Sequence, residues 1–166
     1  RPANMPYAQV VPVVDPKVRD MCALPYPNHP KGCPNFRKRA TCPPTIPMLA
    51  EVFDLVYPMI AIWEPFDFGG HVERMRVAHP DWSQRQLECC LYWQGTARAA
   101  LNITIHEFLY GYARTAKPSA PPLFVTTCPE AMGVNVTETM KSLGVVLEWP
   151  PKKFTHHVAL AGVRRQ

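Results

Sequence analysis

Four cysteines are the residues of this chain best suited to chemistry. Cys22, Cys33 and Cys42 fall within one proline-rich stretch, and Cys128 lies far downstream. Cysteine thiolates are soft ligands that hold zinc ions or iron–sulfur clusters. Cys33, Cys42 and Cys128 are each followed directly by proline. Proline after a ligand removes a backbone N–H and fixes φ, which stiffens the ligand; the same Cys-Pro step closes a bacterial ferredoxin cluster run. Residues 23–44 show no apolar periodicity and read as an irregular loop. A loop of ~20 residues is uncommon in a compact domain unless something orders it, and thiolate–metal bonds can do so.

The spacing selects among metals. Ten residues separate Cys22 from Cys33, and eight separate Cys33 from Cys42. Structural zinc sites usually pair ligands two to four residues apart. The wider gaps suit a cluster, whose corners lie further apart than the ligands of one ion. The expected cofactor is therefore a 4Fe–4S cluster on Cys22, Cys33, Cys42 and Cys128, with zinc as the alternative. Free thiols or disulfides are the reading without metal. His29 lies between the first two cysteines and reads as a solvated loop residue rather than a ligand. Cys89-Cys90 falls in a stretch of helical pattern, where adjacent residues point about 100° apart and do not readily chelate one ion. Cys90 reads there as a small buried hydrophobe.

Cations could serve an anionic ligand. Lys31, Arg37, Lys38 and Arg39 lie inside the cysteine loop, and Arg85 and Arg98 lie in a later stretch dense in His, Trp, Tyr and Arg. Arg85 and Arg98 could grip a carboxylate or phosphate; a solvated helix face is the plainer reading. The chain carries a formal charge of +5 with a pI near 9.0. This balance mildly favours a small anionic ligand or nucleic acid. Two functions are open. One is an iron–sulfur enzyme acting on a small anionic substrate or nucleotide, with Cys128 or the substrate on the fourth iron. The other is a non-catalytic, zinc-stabilised module binding RNA or a protein partner. His156-His157 reads as one core-facing and one solvent-facing residue. No Gly-rich phosphate loop, Gly-x-Ser-x-Gly elbow or Cys-x3-Cys-x2-Cys signature occurs.

Several motifs together resemble a known group. Tyr26, Gly32-Cys33-Pro34 and Thr41-Cys42-Pro43-Pro44 are followed much later by Glu130-Ala131-Met132-Gly133-Val134-Asn135-Val136, leading to Gly144. This order is similar to an uncharacterised microbial family of predicted metal-binding proteins, which carry spaced cysteines ending in Cys-Pro-Pro before a Glu-Ala-Met-Gly block. The family's second patch usually holds several cysteines, whereas Cys128 stands alone here. The resemblance implies metal binding, a single four-cysteine site and no particular reaction.

The elements must position these groups. Residues 8–14 read as extended, and Asp15-Pro16 as an N-cap followed by proline at the first helical position. Apolar spacing predicts helices over 45–57 and 81–112, the latter opened by the capping pattern Ser83-x-x-Gln86. Residues 59–66, 123–127, 145–149 and 156–162 read as strands. Asn135-x-x-Glu138 opens a helix that ends at Gly144. Length and a 47% hydrophobic content fit one domain. The expected fold is α/β or α+β, with a small mixed sheet, one long helix and a cysteine-rich metal-binding loop. Twenty prolines, against the usual ~5% of residues, stiffen loops. No apolar run is long enough to span a membrane, and no signal-peptide h-region is visible. Six cysteines permit disulfides, and two Asn-x-Thr sequons fall in helical stretches; a cytoplasmic, intracellular setting is nevertheless expected.

Overall fold

The computed structural model describes residues 5–26 and 29–166. It is built on a four-stranded sheet in the order β1-β2-β4-β3. The strands are β1 (Tyr7–Val10), β2 (Met59–Asp67), β3 (Leu123–Thr126) and β4 (Phe154–Val163). All three pairings are antiparallel, so the expected α and β mixture forms around a sheet more uniform than the mixed one foreseen.

The two central strands alternate apolar side chains to both faces, as a sheet covered on both sides requires. Met59, Ala61, Val158 and Leu160 face one layer, with Leu49, Phe53, Val134 and Met140. Ile62, Ala159 and Ala161 face the other, beneath Leu101 and Ile105. Five α-helices accompany the sheet among the described residues: α1 (Leu49–Val52), α2 (Phe68–Ala78), α3 (Gln84–Leu87), α4 (Gln94–Thr115) and α5 (Val136–Lys141). Helix α4 lies on the second face and buries Ala97, Leu101, Thr104 and Ile105, which recur at helical spacing.

Three expected elements differ. The helix foreseen over 81–112 is broken at residues 88–93. Leu87 and Trp93 are both almost fully buried, yet on a continuous helix six residues apart places them about 120° from each other. The break lets both enter one cluster with Phe68, Val72 and Ala97, and Trp93 Nε1 donates to Glu88 O at 3.1 Å across it. The capping box at Ser83 and Gln86 does form, but it opens only the four residues of α3. The helix foreseen over 45–57 shrinks to α1. Asp54 N–H donates to Val163 O and Arg165 N–H to Val52 O, so the end of β4 captures the chain. Residues 145–149 pair with no described strand. Val145 and Leu147 still pack on the core, so their apolar character reports burial and not pairing.

The first 3-10 helix, Pro16–Ala23, follows its expected cap: Asp15 accepts from Lys17 N–H at 3.0 Å. Asn135 likewise caps α5, accepting from Glu138 N–H at 3.1 Å.

Candidate metal centre

Two short 3-10 helices bring the outer cysteines into one region. Cys22 lies in the last turn of Pro16–Ala23, and Cys128 directly precedes the second, Pro129–Met132. The two pack on each other. Asp15 N–H donates to Gly133 O, and Asn135 N–H to Val13 O, each at 2.7 Å. Gly133 adopts a left-handed φ of 85° at this junction, where a Cβ would strike the end of Met48.

The loop between Cys22 and Cys42 is held by its own backbone. Cys33 N–H donates to Cys22 O at 2.8 Å, and Cys42 N–H to Arg39 O at 3.0 Å. Cys42 O accepts from Thr45 and Ile46, and Arg37 N–H donates to Pro43 O. Pro43 is buried. Arg19, which carries no motif signal in the sequence, ties the loop's far end to the first 3-10 helix. Its guanidinium donates to Ile46 O at 2.7 Å and Pro44 O at 3.2 Å. A lone arginine in a short helix facing a proline-rich loop was the only available clue.

Burial and neighbouring charge act on the Cys22 and Cys128 thiols. Burial pushes the Cys22 thiol up, and negative charge at Cys33, Cys42 and Glu130 adds to this against the opposing effect of Arg19. Burial also raises Cys128; its hydrogen bond with Thr126 opposes this, while Glu130 and Cys42 reinforce it. All six cysteines are free thiols and half-buried. Among the described residues, no group of three or more His, Cys, Asp or Glu side chains is gathered closely enough to hold a metal ion. The packing of the two 3-10 helices brings together the segments that carry Cys22 and Cys128. Four cysteine thiolates are the donors that a 4Fe–4S cluster takes.

The remaining candidates divide. Lys31, Arg37, Lys38 and Arg39 are all exposed on the loop. Arg37 has a left-handed φ of 61°, and its guanidinium lies over the Phe36 ring. His29 is stacked on Tyr26, with ring centroids 4.4 Å apart, and is not a bare solvated residue. Arg85 and Arg98 are exposed, and neither forms an ion pair among the described residues. Arg98 donates to Gln94 Oε1 at 3.0 Å. A shallow groove of 270 Å³ lies between α2 and α3, lined by Val72, Glu73, Arg76, Gln84 and Glu88 among others; neither Arg85 nor Arg98 lines it.

Cys89 and Cys90 sit in the break before α4 and not on a continuous helix. Cys90 packs against the Leu87–Trp93 cluster, in keeping with a small hydrophobe. Burial raises the Tyr26 phenol, and negative charge at Cys33, Cys90 and Cys22 raises it further. His156 and His157 are both half-buried, so neither simply faces solvent. Their Nδ1 atoms have no partner, and burial lowers both pKa values.

No family model, curated protein or solved structure matches the chain. No helix among the described residues is long and apolar enough to cross a membrane.

Proposed function

We propose that this chain is an iron–sulfur protein whose 4Fe–4S cluster is held by Cys22, Cys33, Cys42 and Cys128. The observation that supports the reading is the packing of the two 3-10 helices, which brings together the segments that carry Cys22 and Cys128, 106 positions apart in sequence. The order of the Cys-Pro-Pro and Glu-Ala-Met-Gly motifs, similar to predicted metal-binding proteins, supports the same reading.

Each part of the chain would have a task. The three loop cysteines hold three corners. Cys128, stiffened by Pro129 and bonded to Thr126, holds the fourth. Bound iron supplies one-electron chemistry, or Lewis acidity where a corner is open to substrate. Arg19 lowers the cost of thiolate at Cys22, and the loop cations offset the charge of the thiolate set. The half-buried thiols must give up their protons, which couples metal affinity to pH.

The test is replacement of Cys128 by serine in anaerobically reconstituted protein. A structural fourth ligand predicts loss of cluster and of stability together. An exchangeable corner predicts a retained cluster with an altered electronic spectrum. Tetrahedral zinc bound by the same residues, without sulfide, would replace this reading with that of a zinc-stabilised module.

A further inference from the structure

Cys22 and Cys33 lie against each other through their backbones. Cys33 N–H donates to Cys22 O at 2.8 Å. Gly32 is buried at the same contact, where a Cβ would lie 2.9 Å from Cys22 O. Inside the span, Tyr26 and His29 exchange both backbone hydrogen bonds, at 3.2 and 2.8 Å, and Gly32 N–H donates to His29 O at 3.1 Å. The two ends are therefore brought together by a chain of bonds that runs through the loop itself.

An N–H···O bond of this length holds the Cα atoms of its two residues about 5–6.5 Å apart, because the covalent bonds on either side have set lengths. A disulfide joins residues whose Cα atoms are roughly 4.4–6.8 Å apart. The pair is within that reach with the backbone where it stands. Both thiols are free and half-buried, so a small oxidant can meet them. Among the described residues, no backbone hydrogen bond joins Cys42 or Cys128 to another cysteine. Cys42 is bonded instead to Arg39, Thr45 and Ile46, and Cys128 to Thr126 and Ala131. Cys89 and Cys90 are adjacent in sequence, and Cα atoms about 3.8 Å apart across a trans peptide are too close for an unstrained disulfide.

We propose that Cys22 and Cys33 form a reversible dithiol–disulfide couple, a site of oxidation by low-molecular-weight disulfides such as glutathione disulfide. One protein thiolate attacks the S–S bond of the oxidant, forming a mixed disulfide and releasing one small thiol. The second protein thiolate attacks the protein-bound sulfur and releases the other small thiol. The two protein thiols lose two electrons and two protons, and the oxidant becomes two thiols. The new bond closes a ring running from Cys22 to Cys33. The couple stands on the placement of the thiols and needs no metal. A sulfur held in a disulfide cannot ligate as a thiolate, so oxidation closes these two positions to metal.

The experiment treats the full chain, reduced and freed of metal by a chelator, with glutathione buffers of rising disulfide fraction. Remaining thiols are trapped with N-ethylmaleimide, and links are mapped by mass spectrometry after proteolysis. We expect one intramolecular link, Cys22–Cys33, that is lost again on adding dithiothreitol. Cys42→Ser and Cys128→Ser should form it as the wild type does. Gly32→Ala keeps both thiols and should form it about tenfold more slowly or worse, since displacing paired groups by about 1 Å costs at least this much. A predominant link through Cys42, Cys89, Cys90 or Cys128 in the wild type would overturn the proposal. So would glutathione adducts without a link, no reaction at any buffer ratio, or an unchanged rate in Gly32→Ala. The wild-type map decides the matter even where a variant fails to fold. Iron, zinc and sulfide are assayed before the chelator is added, so the cluster reading and the disulfide couple can fail separately.

Discussion

The amide of Cys33 donates to the carbonyl of Cys22 at 2.8 Å, closing the ten-residue span between them into a ring. The residue before Cys33 makes this closure possible. Gly32 adopts φ 78°, and a Cβ there would lie 2.8 Å from Ala23 O and 2.9 Å from Cys22 O. Both are backbone atoms that cannot swing aside. Gly32→Ala should therefore cost about 1–3 kcal/mol and lower metal content. A thermal melt with metal analysis checks both; an unchanged melt would show that the turn is not constrained as described.

The pH dependence of stability follows from buried histidines. His71 is 7% exposed, and its Nε2 has no partner. Burial lowers His71, first and foremost, and Arg74 adds to the effect. Burial likewise lowers His156 and His157. A base whose folded pKa lies below its unfolded value binds more protons when unfolded, so stability rises with pH through that window. The fold should be at full strength above the unfolded value near 6.5 and weaken as pH falls below it. Denaturation midpoints should decrease as the pH falls from about 7 to about 5, the range in which histidine titrates. His71→Phe should reduce the slope, whereas a flat profile would contradict this account.

Thr104 is a buried polar residue of α4, and its hydroxyl donates to Glu64 Oε2 at 2.9 Å. Thr104→Val keeps the shape and removes the donor, leaving the half-buried carboxylate of β2 with one partner fewer. The expected loss is about 1–2 kcal/mol. Glu64→Gln in the same background should recover part of it, because a neutral amide is cheaper to leave under-bonded. Chemical denaturation of the single and double variants measures both effects.

Arg85 and Arg98 separate a binding role from a structural one. Each is exposed, and neither is paired with Glu73, Glu88 or Glu107. Alanine at either position should change stability by no more than about 0.5 kcal/mol. A loss of several kcal/mol in a thermal melt would instead reveal a buried pairing in solution.

The sequence was most legible where one local rule acted alone. The strands read over 59–66 and 156–162 formed as β2 and β4, and the caps at Asp15 and Asn135 formed at their expected residues. It was least legible where tertiary packing decided. The helical pattern running through Cys89 gave no sign that Leu87 and Trp93 must reach the same cluster, so the break before α4 was not foreseen. Helix α2 also lay in a stretch read only for its polar groups. In the candidate centre, residue type and the following prolines singled out the cysteines. The contacts between the segments that carry them were hidden, because the Arg19 bonds to Pro44 and Ile46, and the docking of residues 129–132 on residues 16–23, join distant parts of the chain.

Anaerobic iron and acid-labile sulfide analysis of the purified chain tests the central claim most directly. The account predicts about four iron and four sulfide per chain, as a four-cysteine 4Fe–4S centre holds, and loss of both on replacing Cys22, Cys33 or Cys42 by serine. One zinc per chain without sulfide, or no bound metal after anaerobic reconstitution, would contradict it.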